Sequence, residues 1–174
     1  MKHFLIVVEM QKDFVNGALG TPEAQAIVSK VMDKILGFDG EIFATLDTHR
    51  ENYLQSAEGR KLPVAHCIKG TPGWTLEDGV AAALEQKGYT PVEKVTFGSV
   101  LLPRLLHQAA AGERFTVELV GLCTDICVVS NALMLKANFP EMEISVDSAC
   151  CAGVTPESHE AALTTMRCCQ INVI

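Results

Sequence analysis

The sequence predicts an α/β fold: a parallel sheet with helices over both faces. Three observations lead there. Apolar runs of strand length alternate with stretches of helical periodicity along the whole chain, the runs are apolar throughout, and no internal repeat or low-complexity tract interrupts them. With 174 residues, 48% of them hydrophobic, the chain has enough apolar surface for one sizeable core, so residues 1–174 are expected to form a single domain.

HFLIVV (3–8) is a continuous apolar run of strand length. PEAQAIVSKVMDKILGF (22–38) then carries apolar residues at helical spacing, behind Thr21 as N-cap and with Pro22 at the first helical position. EIFATL (41–46) reads as the second strand. Residues 47–75 form a long polar connection ending in KGTPGW, and a connection of this length points to function. WTLEDGVAAALEQKG (74–88) is a helix closed by Gly88, TPVEKV (90–95) the third strand, and VLLPRLLHQAAAG (100–112) another helix. FTVELVG (115–121) is the fourth strand and CTDICVVSNALMLKANF (123–139) the helix after it. EISVDSAC (143–150) supplies strand five, TPESHEAALTTMRCC (155–169) a helix with Thr155 as cap and Pro156 at its start, and QINVI strand six.

The balance of charge narrows the partners. Fourteen Lys and Arg against 21 Asp and Glu give a formal net charge of -7, which argues against nucleic acid, whose binding requires a basic patch and counterion release. The apolar run in MKHFLIVVEMQKDF is too short for a secretory leader, and no stretch reaches the ~18 apolar residues of a membrane span, so a cytoplasmic protein with no membrane partner is expected. Seven cysteines, an odd number, disfavour a disulfide framework and read as reduced thiols packed as small core residues; Cys150, Cys151, Cys168 and Cys169 are assigned to that use.

In open α/β sheets ligands sit outside the carboxyl ends of the strands. The chain offers Glu9, Asp47, His49, Lys94 and Cys127 at about those places. Cys127 stands in the first turn after strand four, where free N–H groups and the helix dipole favour a thiolate and lower its pKa. Glu9, ending strand one in apolar surroundings, has the raised pKa that suits proton exchange, and Lys94 supplies a cation. Each alone is an ordinary strand-end residue, and together they make a nucleophile, a base and a charge stabiliser. A second cluster lies in LDTHRENYLQSAEGRKLPVAHC: Asp47 and His49 spaced i, i+2, followed by Glu58 and His66, a donor set suited to Zn²⁺, Fe²⁺ or Mn²⁺. KGTPGW lacks the phosphate-loop pattern, and no dinucleotide fingerprint follows strand one, which disfavours nicotinamide cofactors as redox partners.

EMQKDF after strand one, LDTH and AHC around the long connection, EKVTFGS after strand three and GLCTDICV after strand four together resemble the isochorismatase-like cysteine hydrolases, in particular their nicotinamidase branch. The resemblance spans essentially the whole chain in the family's motif order. It implies a three-layer α/β/α fold whose six-stranded parallel sheet has the order 3-2-1-4-5-6. It also implies a triad of Cys127 as nucleophile, Lys94, and Glu9 where the family usually has aspartate. A non-proline cis peptide between Leu122 and Cys123 is implied, aiming the N–H groups of Cys123 and Cys127 as an oxyanion hole. Asp47, His49 and His66 are implied metal ligands with Glu58 as a fourth, the site resembling one for zinc or iron, and Phe14 and Leu122 belong to the substrate pocket.

The activity implied is hydrolysis of nicotinamide to nicotinate and ammonia through a thioester, within NAD salvage. The alternatives are another small amide or carbamoyl compound, isochorismatase chemistry, or a weakened small-ligand binder, since the extra methylene of Glu9 displaces its carboxylate by about 1 Å or more. Relatives are often dimers or higher, so a homo-oligomer is an open expectation.

Overall fold

A computed structural model of the chain describes residues 1–174. Six parallel strands form one sheet: β1 (Lys2–Val8), β2 (Glu41–Asp47), β3 (Thr90–Lys94), β4 (Phe115–Leu122), β5 (Glu143–Ala152) and β6 (Asn172–Val173). Their order is β3-β2-β1-β4-β5-β6, so the direction of winding reverses between β1 and β4. That reversal opens a crevice at the strand carboxyl ends, the usual ligand position in such sheets.

Strand β1 shows why the sheet is central. Phe4, Ile6 and Val8 point to one face and Leu5 and Val7 to the other, all fully buried. On the first face they meet α5 (Leu102–Ala110), α6 (Val129–Asn138) and α7 (Pro156–Cys168) through Leu102, Leu106, Leu135, Leu163 and Met166. On the second they meet α2 (Pro22–Gly37) and α4 (Asp78–Lys87) through Ile27, Val31, Ile35, Val80 and Leu84. Each such side chain contributes about 1.5–3 kcal/mol by leaving water. A strand flanked on both faces is therefore apolar at every position, which is the pattern the sequence displays.

Most helix starts follow their local chemistry. Thr21 Oγ1 accepts from the Ala24 N–H at 3.0 Å, and Thr155 with Ser158 makes a reciprocal capping box. The expected helix over 74–88 begins later, at Asp78, because the Glu77 carboxylate caps it by accepting from the Val80 N–H at 3.0 Å. Trp74 instead closes a separate 3-10 turn over Pro72–Trp74. The helix expected over 123–139 is two pieces, a π turn over Thr124–Val128 and then α6.

Two further elements escape the hydrophobic pattern: the short helices α1 (Lys12–Val15) and α3 (Ala57–Lys61), the latter within the long connection and capped by Ser56. Strand six, at the sheet's outer edge, is only two residues long, Asn172–Val173, shorter than the expected QINVI. Cys168 and Cys169 are exposed at the end of α7, so the core role read for them does not hold, while Cys150 and Cys151 are buried. All seven thiols are free. No helix is long and apolar enough to cross a membrane.

Gly121 sets the spacing of the two central strands. Its φ is +114°, a conformation that L side chains rarely adopt, and a Cβ there would collide with the main-chain carbonyl of Val8. The β4–β5 register also shifts between Leu119 and Gly121, whose partners are Val146 and Cys151, so the extra residues bulge from β5 while β4 stays in register with β1. Gly121→Ala is expected to cost at least about 3 kcal/mol of stability. Urea unfolding checks this; an unchanged midpoint would mean that β1 and β4 separate without penalty.

Candidate active site

Three strands deliver three charged or nucleophilic groups to the crevice. Glu9 follows β1, Lys94 is the last residue of β3, and Cys127 lies in the π turn after β4. All three are buried, Glu9 completely. The Lys94 ammonium pairs with Glu9 Oε1, lies 3.6 Å from Cys127 Sγ, and donates to the Thr96 carbonyl at 2.7 Å. It also stands 3.6 Å from Asp47 Oδ1. One lysine thus serves three potential anions.

This sharing explains opposite-looking shifts. Burial pushes the Glu9 carboxyl up to about 7; Lys94 opposes that shift, and the Asp47 charge adds to it. Burial also works against the Lys94 charge, but Glu9, Cys127 and Asp47 outweigh it and hold the ammonium above its ordinary range. Lys94 therefore stays charged while Glu9 is poised to gain or lose a proton near neutrality. Neither Glu9 oxygen receives a well-aligned hydrogen bond, although the ion pair with Lys94 is close. A carboxylate in that state is a strong proton acceptor.

Cys127 differs from the expectation of a lowered pKa. Burial pushes the thiol well above its usual range, the Glu9 charge adds to this, and Lys94 acts against both. The residue resides not at an α-helix start but inside a wider turn, where the Cys123 carbonyl accepts from Ile126 N–H at 3.1 Å and Val128 N–H at 3.0 Å. The resting group is a thiol beside a base.

Every peptide bond is trans, including Leu122–Cys123, so the cis linkage implied by the resemblance is not present. The trans form is favoured by about 3–4 kcal/mol for a non-proline residue. Here β4 simply runs extended to its end, with Leu122 in register with Ala152 and Cys123 still extended. Leu122 is fully buried in the core on the α2 side.

The second cluster is a pocket wall. Asp47 ends β2, and His49 two residues on forms a single parallel bridge with Ile68: its N–H donates to the Cys67 carbonyl and its carbonyl accepts from Lys69 N–H, each at 2.9 Å. That bridge folds the long connection back and brings His66 across from His49. His49 Nε2 lies 2.8 Å from Asp47 Oδ2 and 3.7 Å from Glu58 Oε1. His66 Nε2 lies 3.6 Å from the same Asp47 oxygen and 3.7 Å from the same Glu58 oxygen.

These four ligand atoms all lie within 4.8 Å of one another. A tetrahedral site with bonds near 2.0–2.1 Å separates its donors by roughly 3.3 Å, so the arrangement fits a metal ion of zinc's size with little movement. The His66 Nδ1–H donates to the Val64 carbonyl at 2.8 Å, which aims Nε2 at the carboxylates. Although burial works the other way, hydrogen bonds from His49 and His66, with the Lys94 charge, hold the Asp47 carboxyl well below the usual carboxylate range. Phe14 packs edge-on against the His66 ring, centroids 5.4 Å apart, and so borders this cluster.

All the residues singled out from the sequence except Leu122 thus gather around the crevice. Several others do not announce themselves. Tyr53 is buried with its ring 4.7 Å from that of His49 and 4.9 Å from that of His66, and its O–H donates to the Leu62 carbonyl at 3.0 Å. Asn131 joins the loop after Lys94 to the Cys127 turn: Oδ1 accepts from Ser99 N–H at 2.9 Å, and Nδ2 donates to the Cys127 carbonyl at 2.8 Å. Trp74 Nε1–H donates to Thr48 Oγ1 at 3.0 Å. The available signal was a polar residue on an otherwise apolar helix face, as for Asn131, or an aromatic in a polar loop.

Comparison with known proteins agrees with this arrangement. A family model described as the isochorismatase domain matches residues 3–174. The chain is 30% identical, over 94% of its length and 93% of the relative's, to the isochorismatase family protein PncA of Bacillus subtilis strain 168. Among solved structures it is similar to the zinc complex of the Pyrococcus horikoshii pyrazinamidase, at 27% identity and a TM-score of 0.82, covering 100% of this chain and 99% of that one. It is also similar to the pyrazinamidase/nicotinamidase of Streptococcus mutans, at 26% identity and a TM-score of 0.86, covering 99% and 100%. With its sheet order, its crevice and a family match across almost its entire length, the chain belongs to the isochorismatase family of cysteine hydrolases.

Proposed function

We propose that this chain is a metal-containing amidase that hydrolyses nicotinamide to nicotinate and ammonia, with Cys127 as nucleophile. The observation that carries the reading is the contact of one lysine with both halves of the crevice: Lys94 touches Glu9 and Cys127 on one side and Asp47 of the His49, Glu58 and His66 cluster on the other. Names of similar structures, nicotinamidases and pyrazinamidases, support the substrate class.

In this mechanism the Cys127 thiol gives its proton to Glu9, and Lys94 holds the thiolate formed. The sulfur attacks the amide carbon to give a tetrahedral adduct, and its oxygen takes up hydrogen bonds from the N–H groups of Cys123 and Cys127, a hole that here works with the trans Leu122–Cys123 linkage. Glu9 returns the proton to the departing nitrogen, ammonia leaves, and a thioester remains. Glu9 then takes a proton from water, the hydroxyl adds to the thioester carbon, the C–S bond breaks to release the acid, and Glu9 returns the proton to the Cys127 sulfur. A divalent cation, zinc or iron, held by Asp47, His49, His66 and Glu58 supplies a Lewis-acidic point suited to the pyridine nitrogen of the substrate. Phe14 supplies an apolar wall beside it.

The longer Glu9 side chain is compatible with turnover. Its backbone is left-handed, φ +48°, and from that position the carboxylate reaches Lys94 in spite of the added methylene. This favours an adapted triad over a disabled one.

Ammonia release from nicotinamide is the direct test, and Cys127→Ala should lower it by at least about 10³-fold. Metal-loaded protein that releases none would sink the nicotinamide assignment and redirect the search to other small amides and carbamoyl compounds. With Glu9 near 7 and required as the base, kcat/KM should fall as pH drops through about 7, because protonated Glu9 no longer accepts the thiol proton. Glu9→Asp is expected to slow turnover by on the order of 10²-fold, since its shorter side chain withdraws from Lys94; a gain in rate would instead mark the native triad as impaired. Chelation should abolish turnover and zinc or iron(II) restore it, with His66→Ala protein showing loss of bound metal by elemental analysis.

A further inference from the structure

Strand β1 stops supporting β2 just where support matters most. Val8 is the last β1 residue in register, opposite Thr45, and the Glu9 N–H still donates to the Thr45 carbonyl at 3.2 Å. The left-handed turn at Glu9 then carries the main chain out of the sheet. On its other side β2 continues: Asp47 is in register with Lys94, and the Thr48 N–H donates to the Lys94 carbonyl at 2.8 Å. Asp47 would thus be half-paired at the residue on which the cluster is built.

The missing partner is a side chain. Gln11 is fully buried; its Oε1 accepts from the Asp47 N–H at 2.7 Å, and its Nε2 donates to the Asp47 carbonyl at 2.9 Å and to the Trp74 carbonyl at 2.8 Å. Bonding both main-chain groups of one residue is what a neighbouring strand does. Both amide hydrogens and the oxygen are engaged, and glutamine is the neutral side chain of this length that offers that combination. Gln11 is itself held: it bridges to Leu76, and the flanking Lys12 N–H and Met10 carbonyl bond to Thr75 and Glu77 at 2.9 and 2.8 Å.

We infer that Gln11 is a positioning residue for the metal centre, its carboxamide replacing the strand that the Glu9 turn withdraws and thereby fixing Asp47 between the two histidines and Lys94. The inference rests on the metal site of the proposed function. Asp47 is the point of leverage: Oδ2 lies 2.8 Å from His49 Nε2 and 3.6 Å from His66 Nε2, while Oδ1 lies 3.6 Å from Lys94 Nζ. A main-chain shift at residue 47 disturbs all three contacts together. The same segment braces the opposite ligand, since Asp13 Oδ2 accepts from the N–H of Cys67, next to His66, at 2.8 Å.

The experiment compares zinc affinity, by competition with a chromophoric chelator, and the cobalt(II) absorption spectrum in the parent protein, Gln11→Met and Gln11→Asn. Methionine keeps the length and deletes the hydrogen bonds; asparagine keeps the carboxamide but pulls it back by about 1.5 Å. The expected result is a zinc Kd raised by about 10–100-fold in both, with an altered cobalt(II) spectrum and native-like circular dichroism. A Kd within twofold of the parent and an unchanged spectrum in either folded variant would overturn the inference; if Gln11→Met does not fold, Gln11→Asn decides. A parent protein that binds neither metal would overturn the metal reading itself and the inference with it.

Discussion

The ion pair between Glu9 and Lys94 is the constraint around which the crevice is organised. Two charges removed from water cost several kcal/mol each unless geometry repays them, and deleting one partner of such a pair typically costs about 3–5 kcal/mol. The fold secures the pair by ending β1 and β3 on either side of β2, β1 at Val8 opposite Thr45 and β3 at Lys94 opposite Asp47, so that Glu9 and Lys94 meet across the end of that strand. Asp47, the last residue of β2, completes a short line of alternating charge. Cys127 enters from the other side of the winding reversal, and its high thiol pKa is the price of sharing this dry space. A lysine that no single anion monopolises is suited to follow negative charge as it moves from carboxylate to sulfur.

Around these charges runs a set of neutral amides and hydroxyls whose work is geometric. Asn131 ties the Lys94 loop to the Cys127 turn, Gln11 ties β2 to the segment after β1, and the Thr124 hydroxyl meets His159 Nδ1 at 2.8 Å on α7. Each is buried and bonded to main chain or to another element, so local movements of the crevice are opposed by the helices behind it. Two of the four non-glycine residues with positive φ stand in the same place: Glu9 and Cys67, at +48° and +47°, while Ala111 and Gln170 lie at turns elsewhere. Held strain of this kind marks positions whose side-chain direction matters more than their backbone comfort.

The layer architecture was legible because burial on both faces leaves its mark on every strand residue, as in HFLIVV and FTVELVG. Caps at Thr21 and Thr155 were legible for the same local reason, a hydroxyl placed one residue before a proline. The long connection was not. Its helix α3 and its bridge at His49 depend on contacts between residues far apart in sequence, and its polar composition carries no period. The charged members of the crevice stood out as ionisable groups at strand ends, whereas Gln11 and Asn131 carry no charge and reveal themselves only through their partners. The thiol pKa was misread because dipole arguments concern helix starts, and the π turn with its burial is a tertiary outcome.

The two clusters have different origins in the chain. Glu9, Lys94 and Cys127 hang from three separate strands, so nothing short of rebuilding the sheet removes them. Three of the four candidate ligands, His49, Glu58 and His66, lie within eighteen consecutive residues of one surface excursion that the core does not require. The thiol machinery and the ligand set are therefore carried by separate parts of the chain, and Asp47, planted in the sheet and 3.6 Å from Lys94, is where they join.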